Sequence, residues 1–134
     1  MPVKRAMIEK IALSDRLEER LIEFAARICF LASKLAKGFQ RRHIANQIVR
    51  CGTAAAANYA EARGAESRAD FIHKMRIVQK ELNETLGWLR IIVKSSLVRD
   101  ELMTELIAEN KELCRVIGAS VRTARRRGSD LTNS

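Results

Sequence analysis

Apolar residues recur at alternating steps of four and three residues through most of the chain. The most regular run consists of Phe71, Met75, Val78, Leu82, Thr85, Leu89 and Ile92. This period places all its members on one stripe of an α-helix. The single proline stands at position 2, so no proline interrupts helices of this length. The pattern therefore predicts an all-α protein.

Two further stripes precede this run. The first predicted helix extends from its N-cap Ser14 to Gly38, where a left-handed C-cap is expected. Its stripe consists of Leu17, Leu21, Phe24, Ile28, Leu31 and Leu35. The second predicted helix ends before Gly64, with the stripe Ile44, Ile48, Cys51, Ala55, Asn58 and Ala62. The segment before Ser14 either extends the first helix or remains loose.

Cap residues mark the remaining two helices. Ser67 and Asp70 form a capping-box variant that opens the third helix, and the pattern pauses near Ser95. Asp100 is the predicted cap of a fourth helix that ends at about Thr123. Its stripe consists of Leu102, Leu106, Asn110, Leu113 and Ile117.

Four helices joined by short connections bury their stripes together only as antiparallel neighbours in sequence order. We therefore predict an antiparallel up-down-up-down four-helix bundle over residues 14–124. A lead-in of residues 1–13 precedes it, and a basic flexible tail of residues 125–134 follows it. The length of 134 residues fits this single domain.

Charge gives the first indication of function. The formal net charge is +9, and between Lys34 and Lys80 ten Lys or Arg residues stand against three acidic residues. Such an excess favours polyanions such as nucleic acid, although it also keeps a protein in solution. No uncharged run approaches the roughly 18 residues of a membrane span, and Glu9 and Lys10 interrupt the N-terminal apolar stretch. We expect no membrane association and a cytoplasmic location.

Few residues are candidates for chemistry. Cys29, Cys51 and Cys114 lack a CxxC or Cys/His ligand spacing, and we expect three buried apolar residues. A di-iron bundle needs two Glu-x-x-His motifs and two further carboxylates, whereas only Asp70-x-x-His73 comes near that pattern. We therefore expect no metal site, no cofactor, no catalytic residue and no enzyme activity.

The outward face of the third predicted helix carries a stripe without acidic residues. It consists of His73, Arg76, Lys80, Asn83, Gly87, Arg90 and Lys94. Cations spaced by roughly 5 to 6 Å can follow phosphates, with strong salt dependence and little base preference. We add to this predicted nucleic-acid-binding surface Arg41, Arg42, Arg125, Arg126 and Arg127. The alternative is a solvated basic face without a ligand.

Aromatic residues contribute only 4% of the sequence. Base stacking is therefore not an obvious mode of nucleic-acid binding. We interpret Trp88, on the flank of the third stripe, as packing at a helix or subunit boundary.

The segment from Gly52 to Ala60 is rich in small residues. A helix with so little side-chain bulk lets neighbouring backbones approach closely, and its outward alanines leave room for a second chain. Close approach would explain Gly52, which costs about 1 kcal/mol relative to Ala inside a helix. Asn58 places an amide on the apolar stripe, where it needs partners. Beside Arg50, we predict a structural polar network of Asn58, Glu61, Arg68, Glu81 and Glu84.

The run from Gln47 to Ile92 resembles a known bacterial family. Its segments RCGTAAAANYAEARGAESRADF and KELNETLGWLR are similar to the four-helix bundle family of intervening-sequence proteins, encoded within insertions in 23S rRNA genes. The matching positions are Asn58, Ala60, Glu61, Ser67, Arg68, Asp70 and Phe71. Related small basic bundles serve as accessory proteins of diversity-generating retroelements. The resemblance implies a homopentamer and a role linked to nucleic acid, without an established biochemical activity.

Two hypotheses of function remain. In the first, a non-enzymatic basic oligomer binds RNA or DNA through phosphates and presents it to a partner such as a reverse transcriptase. In the second, the chain is a protein-interaction or structural module whose charge maintains solubility or meets an acidic partner.

Overall fold

The structure is a computed structural model that describes residues 2–35, 37–98 and 101–132, with side chains described through residue 128. It contains four helices: α1 (Pro2–Ser33), α2 (Phe39–Arg63), α3 (Arg68–Lys94) and α4 (Glu101–Thr132). No strand occurs in these described ranges. The predicted all-α class with four helices is therefore confirmed.

Each helix packs against the next one in the sequence, and α1 also touches α4 over a smaller area. Ion pairs show that neighbouring helices run in opposite directions. On α2 and α3, Glu61 meets Lys74 while Arg50 meets Glu81, so numbers rise along one helix as they fall along the other. The helices form the antiparallel bundle that short connections require.

The predicted stripes form the core. The largest fully buried side chains come from all four helices: Phe24, Leu21, Ile28, Leu31, Leu35, Ile48, Met75, Leu82, Leu89, Ile92, Leu106 and Leu113. Two positions differ from the prediction. Tyr59, not Asn58, lies on the buried side of α2, and Met103 is buried more deeply than Leu102. In both cases the error is one residue at a single position, while the flanking members of the stripe, such as Ala55, Ala62 and Leu106, are buried as predicted.

The ends of the helices follow local chemistry in two places. The Ser67 hydroxyl oxygen accepts a hydrogen bond from the Asp70 amide at 3.0 Å, which confirms the predicted cap of α3. Gly38 has φ of 94°, the left-handed value that favours glycine, but it is the N-cap of α2 and not the C-cap of α1. The predicted cap Asp100 lies outside the described residues.

Both outer helices are longer than the sequence predicted. α1 begins at Pro2, so Ser14 lies inside the helix and is not its cap. The side chains from residue 2 to residue 13 are all exposed, among them Val3, Met7 and Ile11. α4 continues past Thr123 to Thr132, which places the arginines at positions 125 to 127 on a helix. The start of α1 and the end of α4 extend beyond the buried stripe, so the apolar pattern could not predict where these helices begin and end.

The three cysteines do not share one environment. Cys51 is buried and Cys114 is half-buried, but Cys29 is exposed on α1, contrary to the prediction. Its position falls outside the stripe of Phe24, Ile28 and Leu31, on a flank that no neighbouring helix covers. Over the described residues, none of the four helices combines the length and the apolar character that a membrane crossing requires.

Candidate nucleic-acid interface

The outward face of α3 presents the predicted basic stripe to solvent. All seven of its members are exposed: His73, Arg76, Lys80, Asn83, Gly87, Arg90 and Lys94. We call this set the α3 stripe. Within the part of the chain that the structure describes, no carboxylate lies within 4.0 Å of Arg76, Lys80, Arg90 or Lys94. Their positive charges are therefore not neutralised by neighbouring side chains.

Several cations at the contacts between helices behave differently, because carboxylates hold them. Arg20 Nη2 lies 2.6 Å from Glu109 Oε1, and this hydrogen bond raises the pKa of the Arg20 guanidinium. Arg63 binds both Asp15, at 2.7 Å, and Glu18 of α1. The pKa of Arg63 is raised, first by its hydrogen bond to Asp15.

The same holds for Lys74, which belongs to α3 but faces α2. Its ammonium lies 2.7 Å from Glu61 Oε2, and this hydrogen bond raises the pKa of Lys74. The boundary between paired and unpaired cations on α3 thus follows the boundary between its inward flank and its outward face.

Arg41 and Arg42 lie in the first turns of α2, at the end of the bundle where α3 finishes. A ring contact fixes this register: His43 meets Trp88 edge-to-face, with centroids 5.8 Å apart and planes at 75°. Because α2 and α3 are antiparallel, the first turns of α2 lie beside the last turns of α3, which carry Arg90 and Lys94. We call this region the basic end.

Arg125, Arg126 and Arg127 lie at the opposite end, on the last turns of α4. Gly128 follows them, and a β-carbon at that position would lie 3.5 Å from Cδ of Arg68, at the start of α3. The structure therefore divides the predicted binding residues into a central stripe and two terminal groups. His73 belongs to the stripe but is its member nearest the C-terminal turns of α4.

The predicted polar network is not one cluster. Glu81 and Glu84 are brought together by Arg50 of α2, which forms an ion pair with each carboxylate. Glu81 is only 9% exposed. Its Oε2 lies 3.5 Å from Arg50 Nη1 but accepts no hydrogen bond from the described residues. This pairing locks α2 to α3 and leaves one carboxylate oxygen incompletely satisfied.

The other predicted members of the network lie apart. Asn58 is half-buried, and its Nδ2 donates to the Ala54 carbonyl of its own helix at 2.9 Å. Glu61 pairs with Lys74, as described above. Arg68 is exposed at the start of α3.

The fully buried amide of the core is Asn110 of α4. Its carboxamide faces the α3 backbone, and its orientation is assigned from its partners: the nitrogen then donates to the Leu82 carbonyl at 3.1 Å and the oxygen accepts from the Leu86 amide at 3.3 Å. Both polar ends are thereby satisfied. The sequence signal was present, because Asn110 interrupts the fourth stripe, but no network had been predicted around it.

Indications of metal chemistry are lacking in the described residues, where no group of three or more His, Cys, Asp or Glu side chains is placed to hold an ion. Burial raises the pKa of the Cys51 thiol and that of the Cys114 thiol, which favours their neutral forms. The arrangement is therefore suited to electrostatic binding more than to nucleophilic chemistry.

Comparison with known proteins identifies the family. A family model described as 23S rRNA-intervening sequence protein matches residues 17–119. The chain belongs to this family. No match was found among curated proteins. The intervening-sequence match includes the whole α3 stripe and the basic end, whereas the first turns of α1 and Arg125 to Arg127 lie outside it.

A solved structure supports the same assignment. It is the crystal structure of a protein of unknown function from the S23 ribosomal protein family of Bacteroides thetaiotaomicron VPI-5482. The two chains share 31% sequence identity with a TM-score of 0.75, over 81% of this chain and 97% of that one. The bundle of this intervening-sequence protein is thus similar to an experimentally determined fold.

Proposed function

We propose that the protein is a non-enzymatic, oligomeric adaptor that binds RNA or DNA through phosphate contacts on the α3 stripe. The observation that carries the proposal is that Arg76, Lys80, Arg90 and Lys94 are exposed and form no ion pair with any carboxylate of the described residues. A cation already held by a carboxylate gains little from a phosphate, whereas an unpaired exposed cation keeps its full charge for a polyanion.

The geometry of the stripe suits a backbone contact. Residues three and four apart on a helix face are separated by roughly 5 to 6 Å, so Arg76 with Lys80, and Arg90 with Lys94, form two pairs of neighbouring cations for the phosphates of one strand. Such contacts fix position and add affinity but carry no base sequence. The expected binding is therefore salt-dependent and largely independent of sequence.

Self-association is part of the proposal. The first turns of α1 expose Val3, Met7, Ile8 and Ile11, an apolar surface that a second copy would cover. A ring of copies, five in number as the resemblance to the family implies, would repeat the α3 stripe and strengthen weak contacts by avidity. The adaptor would then present nucleic acid to an enzyme such as a reverse transcriptase.

The competing proposal is a protein-interaction or structural module without direct nucleic-acid binding. The same exposed apolar turns of α1 favour it, since they would serve an unrelated partner equally well. It differs in one measurable respect, because binding to its partner would persist after nuclease treatment.

The test is a charge reversal with a matched control. The triple variant Arg76→Glu, Lys80→Glu and Arg90→Glu is expected to lose at least about tenfold in affinity for labelled RNA and DNA at about 50 mM salt. The control reverses two arginines and one lysine at exposed positions of α1 and α4, outside both the α3 stripe and the apolar first turns of α1: Arg16→Glu, Lys111→Glu and Arg115→Glu.

Both triples change the net charge equally, so a difference between them reports the location of binding. The particle size of each variant is checked by light scattering. Equal losses in the two triples, or no binding by the unaltered protein, would overturn the proposal.

A further inference from the structure

The basic end combines cations with an exposed aromatic ring. Phe39, the first residue of α2, is 78% exposed, the highest value among the large apolar side chains of the described residues. Covering a phenyl ring so exposed would remove apolar surface from water, which is favourable. Arg41 and Arg42 follow it directly in the sequence.

The register of the helices places Phe39 beside the last turns of α3. Phe39 precedes His43 by one helical turn, and Ile91 follows Trp88 by nearly one turn on the antiparallel neighbour. Because His43 contacts Trp88, residues Phe39 and Ile91 lie at the same level of the bundle. Ile91 is itself 44% exposed.

An open groove runs along these last turns of α3, lined by Gly87, Arg90, Ile91, Lys94 and Ser95. The space above Gly87 is open, since a β-carbon at that position would meet no atom within 4 Å. Ile91 is the apolar side of the groove, and Arg90 and Lys94 are its flanking cations. The groove overlaps the last turns of the α3 stripe, at the level of Phe39.

Charge indicates which kind of occupant this surface accepts. The sequence has no acidic residue from position 24 to position 60, nor from position 85 to position 98. Among the described residues, the nearest carboxylate on the α2–α3 side is that of Glu84, which accepts a hydrogen bond from Trp88 Nε1 at 3.4 Å and is paired with Arg50. On α4, Glu101 is exposed and Glu105 pairs with Arg27. The described residues of the last turns of α3 and the first turns of α2 thus carry only positive charges, which complements a polyanion that also carries apolar, planar groups.

We propose that the basic end binds an unpaired base of single-stranded nucleic acid, stacked on the Phe39 ring, while Arg90 and Lys94 contact the adjoining phosphates. The inference rests on the proposed function and specifies its substrate as single-stranded. Paired bases bury their faces in the stack, whereas unpaired bases offer a face to an aromatic ring. RNA and DNA share this chemistry.

The probes are labelled oligouridine, oligothymidine and a hairpin duplex of the same length. Phe39→Ala is expected to weaken binding of the single strands about tenfold, in line with the value of one base stack, and to leave duplex binding unchanged. Phe39→Trp is expected to retain or improve single-strand binding. A preference for oligouridine or for oligothymidine identifies RNA or DNA as the better substrate.

Phe30 provides a matched control of the same residue type. It is 58% exposed at the end of α1, but the Lys34 ammonium lies 5.1 Å from its ring centroid and occupies one ring face. Phe30→Ala is therefore expected to leave single-strand binding unchanged. Polyglutamate serves as a polyanion without bases and is expected to compete poorly.

Several results would overturn the inference. They are equal loss of single-strand and duplex binding in Phe39→Ala, full retention in that variant, competition by polyglutamate as strong as by oligouridine, or a change in particle size that assigns Phe39 to an interface between copies. If the unaltered protein binds neither single strands nor duplex, the proposed function itself fails. If it binds both and Phe39→Ala has no effect, only the present inference fails.

Discussion

Gly52 of α2 lies so close to Ile28 of α1 that a β-carbon at position 52 would stand 2.9 Å from Ile28 Cγ2. Ile28 is fully buried, so it has no free space into which it can move. The close approach of backbones predicted for this small-residue segment is therefore found where α2 packs against α1. It explains why a residue with poor helix propensity stands inside a helix.

We expect Gly52→Ala to destabilise the bundle by up to about 2 kcal/mol. The gain of about 1 kcal/mol in helix propensity is exceeded by the strain of overpacking, which typically costs 1 to 3 kcal/mol. Gly87→Ala is the matched control, since a β-carbon there meets no atom within 4 Å, and it should stabilise by up to about 1 kcal/mol.

Urea unfolding of both variants measures these free energies. Equal stabilisation by the two substitutions would show that Gly52 does not mark a tight contact.

Replacement by alanine is expected to lower the free energy of unfolding much more at Asn110 than at Asn58. Asn110→Ala leaves a cavity in the core and removes the two hydrogen bonds to the α3 backbone, so we expect a loss of about 2 kcal/mol. Asn58→Ala removes only a bond to its own helix and improves helix propensity, so its effect should lie within about 0.5 kcal/mol. Thermal and urea unfolding would contradict this if Asn58→Ala proved the more damaging change.

These two asparagines show what the sequence could and could not predict. Four helices, their order and most core positions follow from the period of apolar residues. The phase of a stripe is less certain, because Asn58 and Tyr59 are adjacent and the period alone does not decide which one faces the core. Tyr59 is buried because its ring fills space beside α1 while its hydroxyl reaches the Ser14 carbonyl at 3.5 Å.

The candidate site was predictable to a similar degree. The exposure of the α3 stripe follows from its position opposite the apolar stripe of the same helix. The ion pairs that neutralise other cations join helices distant in sequence, as in Arg20 with Glu109, and no local pattern reveals them. The significance of Phe39 also required the fold, since only the register of α2 against α3 places it beside Arg90 and Lys94.

Arg50 should contribute more to stability than Lys74, although each forms ion pairs between α2 and α3. Arg50→Met leaves the largely buried Glu81 without its cation, and we expect a cost of about 1 to 2 kcal/mol. Lys74→Met leaves Glu61, which is well exposed, and should lower the free energy of unfolding less than Arg50→Met does. If urea unfolding gave the same loss of free energy for both variants, the burial of Glu81 would not make its ion pair more important to stability.

Stability should fall as the solution becomes alkaline. Burial raises the pKa of the Cys51 thiol above its ordinary value of 9.0, so the folded state keeps a proton that the unfolded state loses first. The stabilising contribution is complete below pH 9.0 and is lost as pH rises towards the folded-state pKa. The slope due to this one group is at most about 1.4 kcal/mol per pH unit.

Urea unfolding on either side of this pH measures the effect. Cys51→Ala should flatten the alkaline slope, whereas Cys29→Ala, at an exposed position, should leave it unchanged. An identical slope in the protein and in Cys51→Ala would refute the assignment to this thiol.

The measurement that tests the central claim most directly is the salt dependence of nucleic-acid binding. We expect the logarithm of the binding constant to fall linearly with the logarithm of salt concentration. Neutralising three stripe cations, by Arg76→Ala, Lys80→Ala and Arg90→Ala, should reduce the magnitude of this slope for duplex DNA by about 2 to 3. The corresponding control variant, Arg16→Ala, Lys111→Ala and Arg115→Ala, should keep the original slope. Equal slopes for the stripe variant and the unaltered protein would show that phosphates do not bind along α3.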